Sequence, residues 1–447
     1  MMQQKTKTRG SQFKRGDLGY EQAQREATWN AKMVDRYPDL IIQANNQQEV
    51  IEAIKLAKAQ NLKVGVRSGG HSWSANHIRQ GGLLLDVSRL DAVTIDKTTM
   101  TATVEVGRSG HQLANMLLKQ GLFFPAGHCK GVCVGGYLLQ GGFGWNSRVL
   151  GPACMSVMAI DYVNADGELV HASPEQNADM YWAARGAGAG FFGVVVKFYL
   201  RLYAKPKIIG AALISFPIER LEEVYRWADA VGKDVANSVE LMLIMSGHTP
   251  LVNGKGIIVF APIFADSWRE AYQALAFMKT MPKGASLKIP FVPLSLEMMY
   301  SMVMQHYPEN ARYAVDNLWT HASIDQLLPH LHKIANSLPS APSHMLWMNW
   351  SPPKQRPDMA FSMEDKTYIA LYGVWHQATQ DHLFADWAVN HVRDMEHLAT
   401  GCQLADENLG QRPARFVSDQ HLQKLDQIRA KYDPDNRFHP WMGRVTP

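Results

Sequence analysis

Cysteine is scarce. The 447-residue chain has four, Cys129, Cys133, Cys154 and Cys402, too few for a disulfide framework at this length. Cys129 and Cys133 are close in sequence, but no second Cys/His pair nearby completes a zinc set. Charge of one sign is scarce as well: the net charge is +4 and no long Lys/Arg cluster occurs, which argues against nucleic acid as a partner. No stretch approaches the roughly 20 apolar residues that cross a bilayer. The basic start, MMQQKTKTRGSQFKRGD, is followed by no apolar signal-peptide core. These absences lead to the expectation of a cytoplasmic protein without a membrane partner. P-loop and H-E-x-x-H motifs are also missing. His330 and His332, two apart on an expected helix, face apart, so no metal is expected.

What is present is ordinary for a globular chain: 46% hydrophobic and 19% charged residues. The length suggests two or three domains at roughly 100–200 residues each. Residues 1–37 are polar and read as an N-terminal extension. From 38 to 206 the pattern predicts a helix after Asn45-Asn46 and strands over 62–66, 83–87 and 101–106. A helix over 110–119, a hairpin over 158–172 and a strand over 194–202 complete this half. From 207 to 400, strand-like runs at 208–216, 239–245, 256–263, 345–350 and 368–375 alternate with amphipathic helices near 218–231, 267–280, 323–338 and 379–397. The expected class is α+β, with an antiparallel sheet covered by helices in the second part. Residues 401–447 are expected to return to the first domain.

Chemistry-bearing residues concentrate in glycine loops. Arg67-Ser68-Gly69-Gly70-His71-Ser72 follows an expected strand. Paired glycines permit positive φ, and bare backbone can point successive N–H groups at an anion. Ser68, Ser72 and Arg67 could add donors to phosphate, although a plain turn with a surface histidine is the competing reading. A second loop, Pro125-Ala126-Gly127-His128-Cys129-Lys130-Gly131-Val132-Cys133-Val134-Gly135-Gly136, runs on to Gly141-Gly142-Phe143-Gly144. Were His128 and Lys130 close to the Cys129 thiol, they would lower its pKa and make it reactive. Cys133, Cys154 and Cys402 read instead as small buried hydrophobes. The run from Gly188 to Gly193 matches G-x-G-x-x-G, but the β-branched and aromatic residues after it form a strand, so no helix N-terminus is offered to a pyrophosphate.

In order and spacing, these motifs resemble the berberine bridge enzyme-like FAD-linked oxidases, within the vanillyl-alcohol oxidase type of flavoprotein. Also matching are Asp86 with Ser88, Gly107, Gly121, Asp166-Gly167, Trp182-Ala183-Ala184-Arg185-Gly186, Phe192-Gly193-Val194-Val195 and Tyr432-Asp433-Pro434 to Phe438. The resemblance implies a two-part PCMH-type FAD-binding domain plus a substrate domain. It also implies FAD held by two covalent bonds, from His71 to the flavin 8α carbon and from Cys129 to C6. Such substitution makes the ring easier to reduce. Gly127, Gly135, Gly136, Gly141, Gly142, Gly144, Gly193, Val194 and Asn408 are carried over as further cofactor contacts, with Pro125 and Ala126. Val132 matches a position near the oxygen-reacting face, where valine accompanies oxygen use.

The chain departs from the family pattern at Lys130-Gly131, Cys133, Tyr137 and Phe191. It also has Leu404-Ala405-Asp406-Glu407-Asn408 where the family has Tyr-x-Asn. With that tyrosine gone, the base must come from elsewhere. Asp406 or Glu407, desolvated and so raised in pKa, are candidates, as are Tyr372 and His376. The expected reaction is oxidation of a small alcohol, sugar-like or alkaloid-like molecule, with molecular oxygen as the second partner. Trp319, Trp347, Trp350 and Trp375 are candidates to stack on it. A dehydrogenase with singly attached or unattached FAD, or a ligand-binding protein without turnover, are the alternatives.

Overall fold

Short apolar runs make the first sheet. The computed structural model describes residues 10–444 apart from 351, 353 and 354, so the basic start at 1–9 lies outside the described residues. Leu40–Gln43, Leu83–Asp86 and Val64–Arg67 run parallel. Their connections include the Gln47–Ala59 helix, which buries Val50, Ala53, Ile54 and Ala57 on one stripe. Asn46 caps it, accepting from the Glu49 N–H at 3.0 Å. Ser11–Lys14, inside the segment read as a polar extension, pairs antiparallel with Leu40–Gln43 and completes a four-stranded sheet.

A second, antiparallel sheet has the order Val93–Asp96, Thr101–Glu105, Val194–Arg201, Val157–Val163, Leu169–Ala172. The expected strand after Gly193 therefore forms. The third sheet has seven strands, all antiparallel: Leu287–Pro293, Ile208–Pro217, Gly256–Ala265, Met242–Ser246, His344–Asn349, Thr367–Trp375 and Arg312–Thr320.

Side-chain alternation gives this sheet two different faces. Leu243, Met345, Trp347, Ile369 and Leu371 pack beneath the helices Leu221–Gly232, Ile324–Ser337 and Trp387–Asp394. Met242, Phe260, Met348, Tyr368 and Tyr372 belong to the core shared with the first two sheets. The fold is thus the α+β class expected, and a cavity opens on this second face. Among the described residues no helix is long and apolar enough to cross a membrane.

Candidate functional site

The two glycine loops meet on one wall. Gly70, at φ 70°, packs so tightly that a Cβ would lie 2.4 Å from the Ala27 carbonyl oxygen, a place only glycine can take. Gly131 of the other loop leaves room for the histidine, since a Cβ there would stand 2.4 Å from His71 Nε2. His71 and Cys129 line the same cavity of about 340 Å³, together with Gly69, Gly127, Val132 and Gly135. Trp29 stacks on the His71 ring at 4.9 Å. Burial pushes the His71 imidazole down to about 3, so at neutral pH it is an uncharged ring with a free lone pair.

A buried carboxyl faces the loops from the C-terminal segment. Asp406 Oδ1 accepts from Trp73 Nε1 at 2.6 Å, and Oδ2 accepts from the hydroxyls of Tyr368 at 2.5 Å and Tyr372 at 3.0 Å. Burial raises its pKa, and the three donors hold that rise in check. Both phenols are pushed well above their ordinary value, by burial first and the Asp406 charge second. A network of this kind is a proton acceptor with its donors already aligned.

Several expected roles need correction. The Cys129 thiol is not lowered in pKa; burial pushes it up to about 12. The neighbours expected to activate it are engaged elsewhere, His128 with Glu240 at 3.2 Å and Lys130 with Glu297 at 2.6 Å. Arg67 is not free to bind phosphate, because it grips Asp86 through two bonds and donates to the carbonyls of Glu26 and Ala27. Ser68 donates to the Val106 carbonyl, whereas Ser72 lines the cavity and, accepting from the Asn76 N–H, keeps its own hydroxyl proton as a donor. Arg67 and Ser68 shape the loop that they border.

Glu407 lines the cavity but already accepts from Ser74, Asn76 and the Leu409 N–H. His376 is exposed just past its strand end and does not border the cavity. Asn408 bonds Gln411 instead. Gly141, Gly142 and Gly144 pack against Phe361, Tyr137 and Ala126, and Pro125 and Ala126 are buried behind them. Val194 points into the core while Val195 and Gly193 border the cavity, as strand alternation requires. Of the G-x-G-x-x-G run, Gly188, Ala189, Phe191 and Gly193 line it. None of the four expected tryptophans does; Trp319 and Trp347 are wholly buried core, and Trp350 and Trp375 nearly so.

Residues the sequence reading passed over are Trp73, Tyr307, His344 and Tyr368. A signal for Tyr368 was available, because it stands four residues before Tyr372 on one strand and so shares its face.

The wall fits FAD. No described residue accepts from the backbone N–H of Gly69, Gly70 or His71, all three on the cavity wall. Such bare donors suit the oxygens of a pyrophosphate or a flavin ring edge. His439 Nε2, also on the wall, is buried with no partner, and a bound polar group would satisfy it.

Comparison with known proteins agrees. Residues 38–173 match the FAD binding domain family. The FAD-linked oxidoreductase janO of Penicillium janthinellum is 30% identical over 424 residues, covering 93% of this chain and 94% of that protein. The solved structure of BBE-like 1 from Physcomitrella patens has a TM-score of 0.85 at 18% identity, over 98% of this chain and 97% of that one. The 6-hydroxy-D-nicotine oxidase of Arthrobacter nicotinovorans gives 0.85 at 18% identity over 100% of both chains. The architecture is that of the PCMH-type FAD-binding fold.

Proposed function

Because this chain belongs to the FAD-linked oxidoreductases and has the fold of a berberine bridge enzyme-like protein, we propose that it carries FAD on both His71 and Cys129 and oxidises a small organic substrate at the expense of dioxygen. The observation that carries this reading is the convergence of His71, Cys129 and Asp406 on one cavity, from three segments far apart in sequence. When bound, FAD supplies the electron-pair acceptor: the substrate C–H gives up a hydride, its O–H a proton, and dioxygen takes the pair away as hydrogen peroxide.

The chain's own part is to position and to move the proton. A substrate hydroxyl donates to the oxygen of Tyr368 or Tyr372 while that phenol passes its own proton to Asp406. Neither phenol ionises alone at neutral pH, since burial raises both, so the carboxylate is the sink. Trp73 pins the other carboxylate oxygen. His71 offers a neutral imidazole nitrogen for attachment. Val132 borders the cavity with a small side chain, which leaves room for dioxygen.

One observation favours a second reading. Burial pushes the Cys129 thiol up, which makes it a weaker nucleophile; FAD would then hang from His71 alone. The oxidase assignment is tested by reducing the protein anaerobically with substrate and mixing it with aerated buffer. Rapid return of the yellow colour, with one peroxide per substrate, supports it. A protein that stays bleached in air and recovers only with an artificial acceptor is a dehydrogenase.

A further inference from the structure

The substrate side of the cavity is one face of the seven-stranded sheet, and its chemistry is narrow. Met242 stands opposite both Met348 and Phe260, and Ile244 opposite Leu346. All five line the cavity. Ile244 and Leu346 are the half-exposed members of otherwise buried strands, because the space they face is the cavity itself. No Lys, Arg, Asp or Glu side chain reaches the cavity from this sheet or from the Leu296–Met304 helix and the turn after it.

The titratable groups that do reach it from there are neutral. Burial takes His344 down to about 3 and His306 down to about 4. His344 Nδ1 lies 2.9 Å from the Pro342 carbonyl oxygen and must carry the proton. Its Nε2 therefore accepts from the Tyr307 hydroxyl at 3.2 Å, which leaves the Tyr307 oxygen able to accept from one further donor. The charged residues on the rest of the wall come from other segments. Arg67 is held by Asp86, Arg79 bonds Asn76 and the Pro440 carbonyl, and Glu407 has three donors.

We propose that the substrate is an uncharged, predominantly apolar alcohol, its hydroxyl directed to the Asp406, Tyr368 and Tyr372 end and its ring or chain laid on the Met242, Ile244, Leu346 and Met348 face. This rests on the reading of the chain as an FAD-linked oxidase of small organic molecules and selects one class among the candidates. A carboxylate or phosphate laid on this face would be stripped of water with no cation on the sheet to meet it. A sugar would press several hydroxyls against thioether and hydrocarbon, each losing its hydrogen bonds. A single hydroxyl has a ready acceptor.

The test uses flavin-loaded full-length protein, with flavin content fixed first by intact mass. Calorimetry then gives Kd for 2-naphthalenemethanol, its 6-carboxylate analogue and glucose. The neutral alcohol is expected to bind about 100-fold more tightly than either of the others. Leu346→Arg, with unchanged flavin mass, is expected to tighten the carboxylate analogue about tenfold by giving it a partner; Ile244→Arg serves if that variant does not fold. Equal or reversed affinities, no binding of the naphthalenemethanol, or no gain from the arginine overturn the assignment. Flavin mass and affinity are read separately. A chain that takes up no FAD would therefore sink the oxidase reading itself, whereas a loaded chain with the wrong preference sinks only the substrate class.

Discussion

Asp406 gathers three donors from two parts of the chain onto one carboxyl: Trp73 beside the first glycine loop, and Tyr368 and Tyr372 from a strand of the large sheet. Its pKa is raised by burial, so the base form is lost as pH falls through a value above the ordinary carboxylate range. The kcat/KM profile should therefore show an acidic limb there. Asp406→Asn should remove that limb and lower kcat by about 10²–10⁴-fold, as steady-state rates across pH would reveal. A residual limb of unchanged position would assign it to another group. Linkage fixes the sign for stability. The folded state holds the Asp406 proton more tightly than the unfolded chain does, so stability falls as pH rises from the unfolded pKa to the folded one. Denaturant titrations should show Asp406→Asn escaping that fall.

Elements hold these residues at their stations. The segment bearing Asp406 is anchored by Arg412, which makes two bonds to the fully buried Asp316 and a third to the Asn317 carbonyl. Removing one member of such a pair strands a buried charge, so Arg412→Met should cost about 3–5 kcal/mol in urea denaturation. The Arg312–Thr320 strand that carries Asp316 escaped the sequence reading for the same reason. Its run RYAVDNLWT contains an aspartate and an asparagine that only this distant arginine and Gln403 make buriable. Leu287–Pro293 hid behind Pro290 and Pro293, which a sheet admits at its edge. By contrast, Thr367–Trp375 and Gly256–Ala265 are unbroken apolar or aromatic runs and were legible from pattern alone. Glycine density located both loops. What each loop residue touches depends on partners such as Asp86 and Glu297, which local sequence does not name. Within the second loop, Gly131→Ala should push the His71 ring aside, and in a Cys129→Ala background flavin retained after denaturation should drop severalfold.

At the scale of the molecule, the three larger sheets border a common cavity. The N-terminal half supplies the bare backbone and the two attachment side chains, the seven-stranded sheet an apolar floor, and residues 403–407 with 438–439 the remaining wall. The parallel bridge of Val64 with Phe438 ties the end of the chain to the first sheet, so the site is assembled only when distant parts of the chain come together. Intact mass after denaturation tests the central claim most directly, in the wild type, His71→Ala, Cys129→Ala and the double variant. The account predicts one FAD adduct on the wild type and on each single variant, and none on the double. A wild-type chain of bare polypeptide mass, with yellow flavin released to the supernatant, would contradict it.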